Sequence, residues 1–250
     1  MSTKHGMNAD IQVSAPRSAK RDLAADLLLW LISASFGFAL VFLVNSRLRA
    51  LGAGPQWLVQ TLQPLVTLPV LTAVLRWRGE SWNSLGLRRP DWPRFLCQVL
   101  VDFVVMVTAG YLIRHIVIAP LHLHSSTRTA LLQGLQNDTG GLAKLLILVI
   151  FVVGFNEELQ FRGFVQSRFS KVFVGPAGRY AAVVITAMLF GVAHLAWGPA
   201  QMVYTGLLGI LLGVIYLWAD GNLWVPVVLH SIFDVTRAVE WFLTGSDIPM

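Results

Sequence analysis

Long apolar segments separated by short polar connectors constrain the fold of this chain more than any other feature. Of its 250 residues, 55% are hydrophobic and only 13% are charged. Soluble domains carry about 25% charged residues, and about 20 consecutive apolar residues are enough for a helix to cross a bilayer. The sequence therefore predicts an all-α, polytopic integral membrane protein whose transmembrane helices pack as a bundle.

The apolar runs predict about seven or eight membrane spans and one interfacial helix. Seven runs are recognisable, over residues 23–44, 57–75, 95–118, 142–169, 181–197, 202–218 and 223–243. An eighth span or a re-entrant segment would change the side on which the C-terminus lies. The connector over residues 76–90 mixes aromatic, apolar and basic residues, which is typical of a short interfacial helix. Gly206, Gly209 and Gly213 in the sixth run would let helix backbones approach closely.

The basic residues indicate orientation rather than nucleic-acid binding. The net charge is +6, but Lys and Arg cluster between apolar runs, as the positive-inside rule requires. We expect residues 1–22 to form a polar cytoplasmic tail, and residues 23–250 to form one membrane domain, in a bacterial inner membrane. The tail lacks the pattern of a cleaved signal peptide. The single cysteine, Cys97, excludes an intrachain disulfide and a cysteine-based zinc site.

Two adjacent carboxylates, Glu157 and Glu158, follow the apolar part of the fourth run. On a helix, Glu158 and Arg162 are four residues apart and can form an ion pair on one face. Glu157 points about 100° away from Glu158, so it can stay available for chemistry while the arginine neutralises its neighbour. A purely structural salt bridge at a helix end explains these residues equally well when they are taken alone.

Further polar residues interrupt the later spans within residues 140–243, which we take as the core of a site. They are Asn156, His194, His230 and Asp234. Each could be a hydrogen-bonded structural residue. Together with the acid pair, they are hard to place in a membrane except around a shared hydrated cavity.

This set of side chains favours hydrolysis. A carboxylate can take a proton from water and an imidazole can position the water, while another polar group can stabilise an oxyanion. The chain has no Gly-x-Ser-x-Gly and no suitable cysteine, so water is a better candidate nucleophile than a side chain. His-Glu-x-x-His is absent, but Glu157, His194 and His230 could hold a divalent metal such as zinc. Spacing alone leaves metal-bound and metal-free water both open.

Three motifs on successive late spans carry a family resemblance. They are Glu157-Glu158-x-x-x-Arg162, Phe190-x-x-x-His194 and His230-x-x-x-Asp234. In this order they resemble the CPBP family, the type II CAAX prenyl endopeptidases with the bacteriocin-processing and Abi proteins. The resemblance implies an α-helical intramembrane protease, open to the cytoplasm, that cleaves a membrane-associated peptide of the prenylated CAAX type or a bacteriocin-like one.

The resemblance also implies roles for individual residues. Glu157 would be the general base, His194 would help to activate the water, and Glu158 with Arg162 would hold the site's geometry. His230 and Asp234 would bind the oxyanion. Because an ionised aspartate cannot donate a hydrogen bond, Asp234 is expected either to orient His230 or to be protonated.

The depth of the two site residues constrains the fifth helix, and two alternative functions stay open. For Glu157 and His194 to lie at one depth, the fifth helix should begin near Val184. The main alternative function is a non-catalytic membrane scaffold or immunity protein with the same fold. A proton-coupled transporter is a further alternative, but the chain shows no internal repeat that would support it.

Overall fold

The protein forms a bundle of long helices. The computed structural model describes residues 17–50, 62–123, 138–173 and 175–244, and these contain no β-strand. The long helices are α1 (Arg17–Ala50), α2 (Leu62–Trp77), α3 (Trp92–Ile118), α4 (Thr139–Val172), α5 (Gly175–Ala193), α6 (Pro199–Trp218) and α7 (Trp224–Thr244). The predicted all-α bundle is confirmed. Helix α1 begins inside the predicted tail, of which residues 1–16 lie outside the described part of the chain.

Five of these helices, α1 and α3 to α6, are long and apolar enough to cross a membrane. Helix α2 is apolar but has only 16 residues, and residues 57–61 of the predicted second span lie outside the described residues. Helix α7 has 21 residues but carries Asp234, Arg237 and Glu240. The chain is thus an integral membrane protein, and the number of spans stays a prediction. The expected interfacial helix is only a 3₁₀ turn, Trp82–Leu85.

Helix α5 is displaced toward the N-terminus relative to the predicted fifth run. It begins at Gly175, so the expected start near Val184 is wrong. Gly175 has φ 84°, a conformation that glycine adopts without strain, and the proline that follows fits the first turn of a helix. The helix ends at Ala193, before a break at Gly198 with φ 105°. His194 therefore lies at the C-terminal end of α5 rather than within a helix.

Helices α5 and α6 approach closely because glycines line their contact. A Cβ atom on Gly191 would lie 2.7 Å from the carbonyl oxygen of Met202, and one on Gly209 would lie 3.1 Å from the Phe190 ring. On the α4 side, a Cβ atom on Gly213 would lie 2.8 Å from a side-chain oxygen of α4. The small residues of the sixth run thus allow the close packing that their spacing predicts, and they bring α4 and α5 against the same helix.

A network of ion pairs ties α1, the 76–90 connector and the end of α4 together. Arg168 is almost fully buried, and its Nε lies 2.9 Å from Asp26 Oδ2 while its Nη2 lies 2.8 Å from Glu80 Oε2. Lys171 Nζ lies 2.7 Å from Glu80 Oε1, and Arg78 Nη2 lies 2.9 Å from Asp26 Oδ1. Because each acid contacts two cations, the network fixes the position of α4 relative to α1.

We expect this network to weaken in acid. Burial alone would raise the pKa of Glu80, but the hydrogen bonds and charges of Arg168 and Lys171 outweigh it and lower the pKa from 4.5 to about 2. A lowered folded-state pKa means that the stabilisation is complete above pH 4.5 and is lost as the pH falls toward 2. Thermal unfolding in detergent at pH 7 and pH 3 should show a larger loss for wild type than for Glu80→Gln. Equal losses in the two proteins would contradict the assignment.

Candidate active site

Helix α4 carries the acid pair on an irregular stretch. π-Helical turns over Val149–Phe155 and Leu159–Gln166 flank the short α-helical segment Asn156–Glu158. All eight residues of the second π-helical stretch are buried, so the helix runs through the interior of the bundle there. π-Helical turns are rare and occur often at functional sites. The irregular backbone thus lies around Glu157 and Glu158, the acid pair predicted to belong to the site.

A buried triad of side chains forms beside these turns. Arg162 Nη1 donates to Glu158 Oε1 over 2.7 Å, and both side chains are fully buried. The same oxygen lies 2.7 Å from His230 Nδ1. Because this carboxylate oxygen also accepts from arginine, Nδ1 carries the proton and donates to it. Glu158 therefore fixes the guanidinium of Arg162 and the imidazole of His230 relative to each other.

Arg162 makes two further contacts that fix its position. Its Nη2 donates to the carbonyl oxygen of Gly209 over 3.2 Å, and its Cζ lies 4.6 Å from the centre of the Phe190 ring. The same ring contacts His194 edge to face at 4.7 Å and lies 6.2 Å from the His230 ring. Phe190 is thus the apolar spacer between the triad and the second histidine.

Glu157 of α4 and His194 at the end of α5 approach each other beside the triad. Glu157 Oε2 lies 4.0 Å from His194 Nε2, and their side chains are 23% and 17% exposed. His194 Nδ1 lies 2.8 Å from the carbonyl oxygen of Phe190. A carbonyl only accepts hydrogen bonds, so Nδ1 carries the proton and Nε2 of the neutral ring presents a lone pair toward Glu157. These two side chains are more exposed than the Glu158–Arg162 pair.

Asp234 joins the site less tightly than His230. Its Oδ2 lies 3.6 Å from His230 Nε2, whereas Glu158 contacts the other ring nitrogen at 2.7 Å. The shorter contact means that Glu158 contributes most to the orientation of His230. Sequence reasoning missed this contact, because the two residues are 72 positions apart and no local spacing joins them.

Asn156 and Gln160 serve the packing of α4 rather than the cluster of acids and histidines. Asn156 Nδ2 donates to Gln63 Oε1 over 2.6 Å, and its Oδ1 lies 3.4 Å from the hydroxyl of Thr67. Trp30 Nε1 donates to Gln160 Oε1 over 3.2 Å. These contacts anchor α4 to α2 and α1, so the structural interpretation of Asn156 fits. In the sequence, Asn156 stands out as an amide in an apolar run beside the acid pair. Its partners Gln63 and Thr67 could not be predicted, because they lie on another helix.

The residues present do not fit the predicted metal site. No group of three His, Cys, Asp or Glu side chains within the described residues is arranged to hold a metal ion. In the predicted set of Glu157, His194 and His230, the Nδ1 atoms of both histidines already donate to protein oxygens. His230 Nε2 faces Asp234, whereas His194 Nε2 faces Glu157. The two imidazoles thus face different carboxylates, and a metalloprotease assignment has no support here.

Comparison with known protein families identifies the part of the chain that holds these side chains. Residues 139–236 match the family described as type II CAAX prenyl endopeptidase Rce1-like. This segment is Rce1-like. The match confirms the resemblance to the CPBP proteases for α4 to α6 and the first part of α7. Comparison with curated proteins and with solved structures gave no match. The Rce1-like segment contains the Glu157–His194 pair and the buried triad.

Proposed function

We propose that the protein is an intramembrane endopeptidase that hydrolyses a peptide bond of a membrane-associated substrate with activated water. The approach of Glu157 to His194, 4.0 Å between Oε2 and Nε2 across two helices, carries this proposal. Two hydrogen-bond acceptors at this separation can each accept one proton of a single water molecule. The match of the surrounding segment to a protease family supports the same chemistry.

In the proposed reaction, Glu157 takes a proton from the water as its oxygen attacks the substrate carbonyl carbon. His194 accepts the second hydrogen bond of the water and fixes its direction. The carbonyl oxygen becomes an oxyanion, toward which the protonated His230 directs Nε2–H. Asp234 lies near this nitrogen and favours the charged ring. Glu157 then returns its proton to the leaving amine, so the peptide bond breaks with protons in balance.

Glu158 and Arg162 support these steps without contacting the reacting atoms. Glu158 accepts the Nδ1 proton of His230, so the second proton of the charged ring, on Nε2, is the one that the substrate oxygen can accept. Arg162 neutralises Glu158 and holds it in place through the Gly209 carbonyl. We further propose that the N-terminus lies in the cytoplasm of a bacterial inner membrane. A prenylated CAAX-type peptide and a bacteriocin-like peptide are both compatible substrates.

Cleavage of a library of membrane-associated peptides by purified protein tests the proposal. Wild type should yield products that Glu157→Gln does not, and the products would reveal the preferred sequence. A strong chelator should leave the rate unchanged, because the site lacks an arrangement of ligands for a metal ion. Products formed equally by both proteins would reject Glu157 as the base. No products from a library that includes lipidated peptides would favour the non-catalytic scaffold.

A further inference from the structure

A basic cavity lies at the end of the bundle where the 76–90 connector meets the turn between α6 and α7. Its volume is about 260 Å³, and its lining includes Arg88, Arg89, Arg94, Gln98 and Asn222. None of these residues belongs to the proposed protease site. We propose that this cavity binds the phosphate-bearing headgroup of an anionic phospholipid.

Backbone contacts give the cavity a fixed shape. Leu223 N donates to the carbonyl oxygen of Gly86 over 2.9 Å. A Cβ atom on Gly86 would lie 2.1 Å from the carbonyl oxygen of Gly221, so this close approach of the connector to the turn requires glycine at position 86. Asp220 and Gly221 both have positive φ, 52° and 70°. The wall is therefore present before a ligand binds.

The arginines that line the cavity have little competing ion pairing. Arg88 donates to the backbone carbonyl of Asp220 rather than to its carboxylate. Arg94 reaches that carboxylate only at 3.7 Å, with the two side chains 70% and 81% exposed, and such an exposed pair is weak. Arg89 forms no ion pair within the described residues. Three arginines against Asp91 and Asp220 leave the lining positive, and guanidinium groups match the geometry of phosphate oxygens.

The surroundings indicate a lipid rather than a soluble phosphate. The cavity adjoins the first turn of the spanning helix α3, where Trp92 is exposed as in an interfacial aromatic belt. Arg94, Gln98, Val101 and Val105 are spaced to lie on one face of α3. Val101 and Val105 are exposed, so an apolar strip runs along the helix from the polar cavity. A phospholipid would contact the cavity with its headgroup and the apolar strip with its acyl chains, whereas a free phosphate would contact only the cavity. Basic pockets between transmembrane helices are known to bind anionic headgroups.

Lipid titration of purified full-length protein in neutral detergent tests this inference. The probes are dioctanoyl phosphatidylglycerol, dioctanoyl phosphatidylcholine and glycerol phosphate, with binding read by native mass spectrometry. The test variant is Arg88→Gln/Arg89→Gln/Arg94→Gln. The control variant, which removes the same charge from exposed arginines elsewhere, is Arg21→Gln/Arg76→Gln/Arg179→Gln. We expect the test variant to bind phosphatidylglycerol about 10- to 100-fold more weakly than wild type, and the control to change the affinity less than about twofold.

Three outcomes would overturn the inference. Equal binding of phosphatidylglycerol to the test variant and wild type would exclude a role of the three arginines in lipid binding. Equal binding of phosphatidylcholine and phosphatidylglycerol to wild type would exclude recognition of charge. Glycerol phosphate that binds as tightly as the lipid would make this a soluble-phosphate site. If the triple variant fails to fold, Arg94→Gln alone should weaken binding about fivefold, because its partner is only an exposed carboxylate.

Discussion

Replacing Glu157 by glutamine is expected to lower the rate of peptide cleavage by about 10²- to 10⁴-fold, the usual contribution of a general base. Glutamine has nearly the same shape but cannot take a proton from water. Within the described part of the chain, the ion-pair contact of Glu157 is its 4.0 Å approach to His194, so the folded yield should be unchanged. The rate is measured on a peptide selected from the library, with Glu240→Gln, at a partly exposed position of α7 outside the site, as the matched control.

The His194→Ala variant should lower the rate of cleavage by about as much as Glu157→Gln, because the water would lose one of its two hydrogen-bond acceptors. Residues that act on one water molecule act as a unit, so the double variant should be scarcely slower than the slower single variant. A double variant whose loss equals the product of the single losses would mean that the two residues act independently. Wild-type rates in either single variant would reject the proposed mechanism.

Much of the fold follows from the apolar runs, because a membrane span must be continuous and apolar. The run over residues 142–169 predicts the long helix α4, observed as Thr139–Val172. The run over 181–197 gives the wrong bounds for α5, since a Gly-Pro pair begins the helix at Gly175 and another interrupts the chain at Gly198. Hydropathy could not show either bound, because the helix begins in a segment that contains Arg179, before the apolar run, and the apolar residues Leu195–Trp197 follow its end.

The candidate site was predictable where spacing along one helix decides the contact. The i,i+4 pair of Glu158 and Arg162 was visible in the sequence, and it forms. Contacts between distant helices were not visible, as with Glu158 and His230. Asp26 is an acid inside the first apolar run, and the structure shows that it pairs with Arg168. An acid in a membrane span indicates a partner, but only the folded chain shows which cation it contacts.

Replacing Arg162 by alanine is expected to destabilise the protein by about 3–5 kcal/mol, the usual effect of removing one partner from a buried ion pair. Glu158 would keep its negative charge at a fully buried position, with His230 as its remaining close partner. The variant would also lose the hydrogen bond to Gly209 and the contact with Phe190. Thermal unfolding and folded yield in detergent measure the effect.

A second substitution separates the unpaired charge from lost packing. Adding Glu158→Gln to Arg162→Ala removes the buried negative charge, so the double variant should be more stable than Arg162→Ala alone. Arg162→Lys keeps the charge but loses the planar fork that reaches both Glu158 and Gly209, so its stability should lie between wild type and the alanine variant. If the double variant were less stable than Arg162→Ala, packing would dominate. Normal yield and stability of Arg162→Ala would show that the Glu158–Arg162 pair does not hold the site.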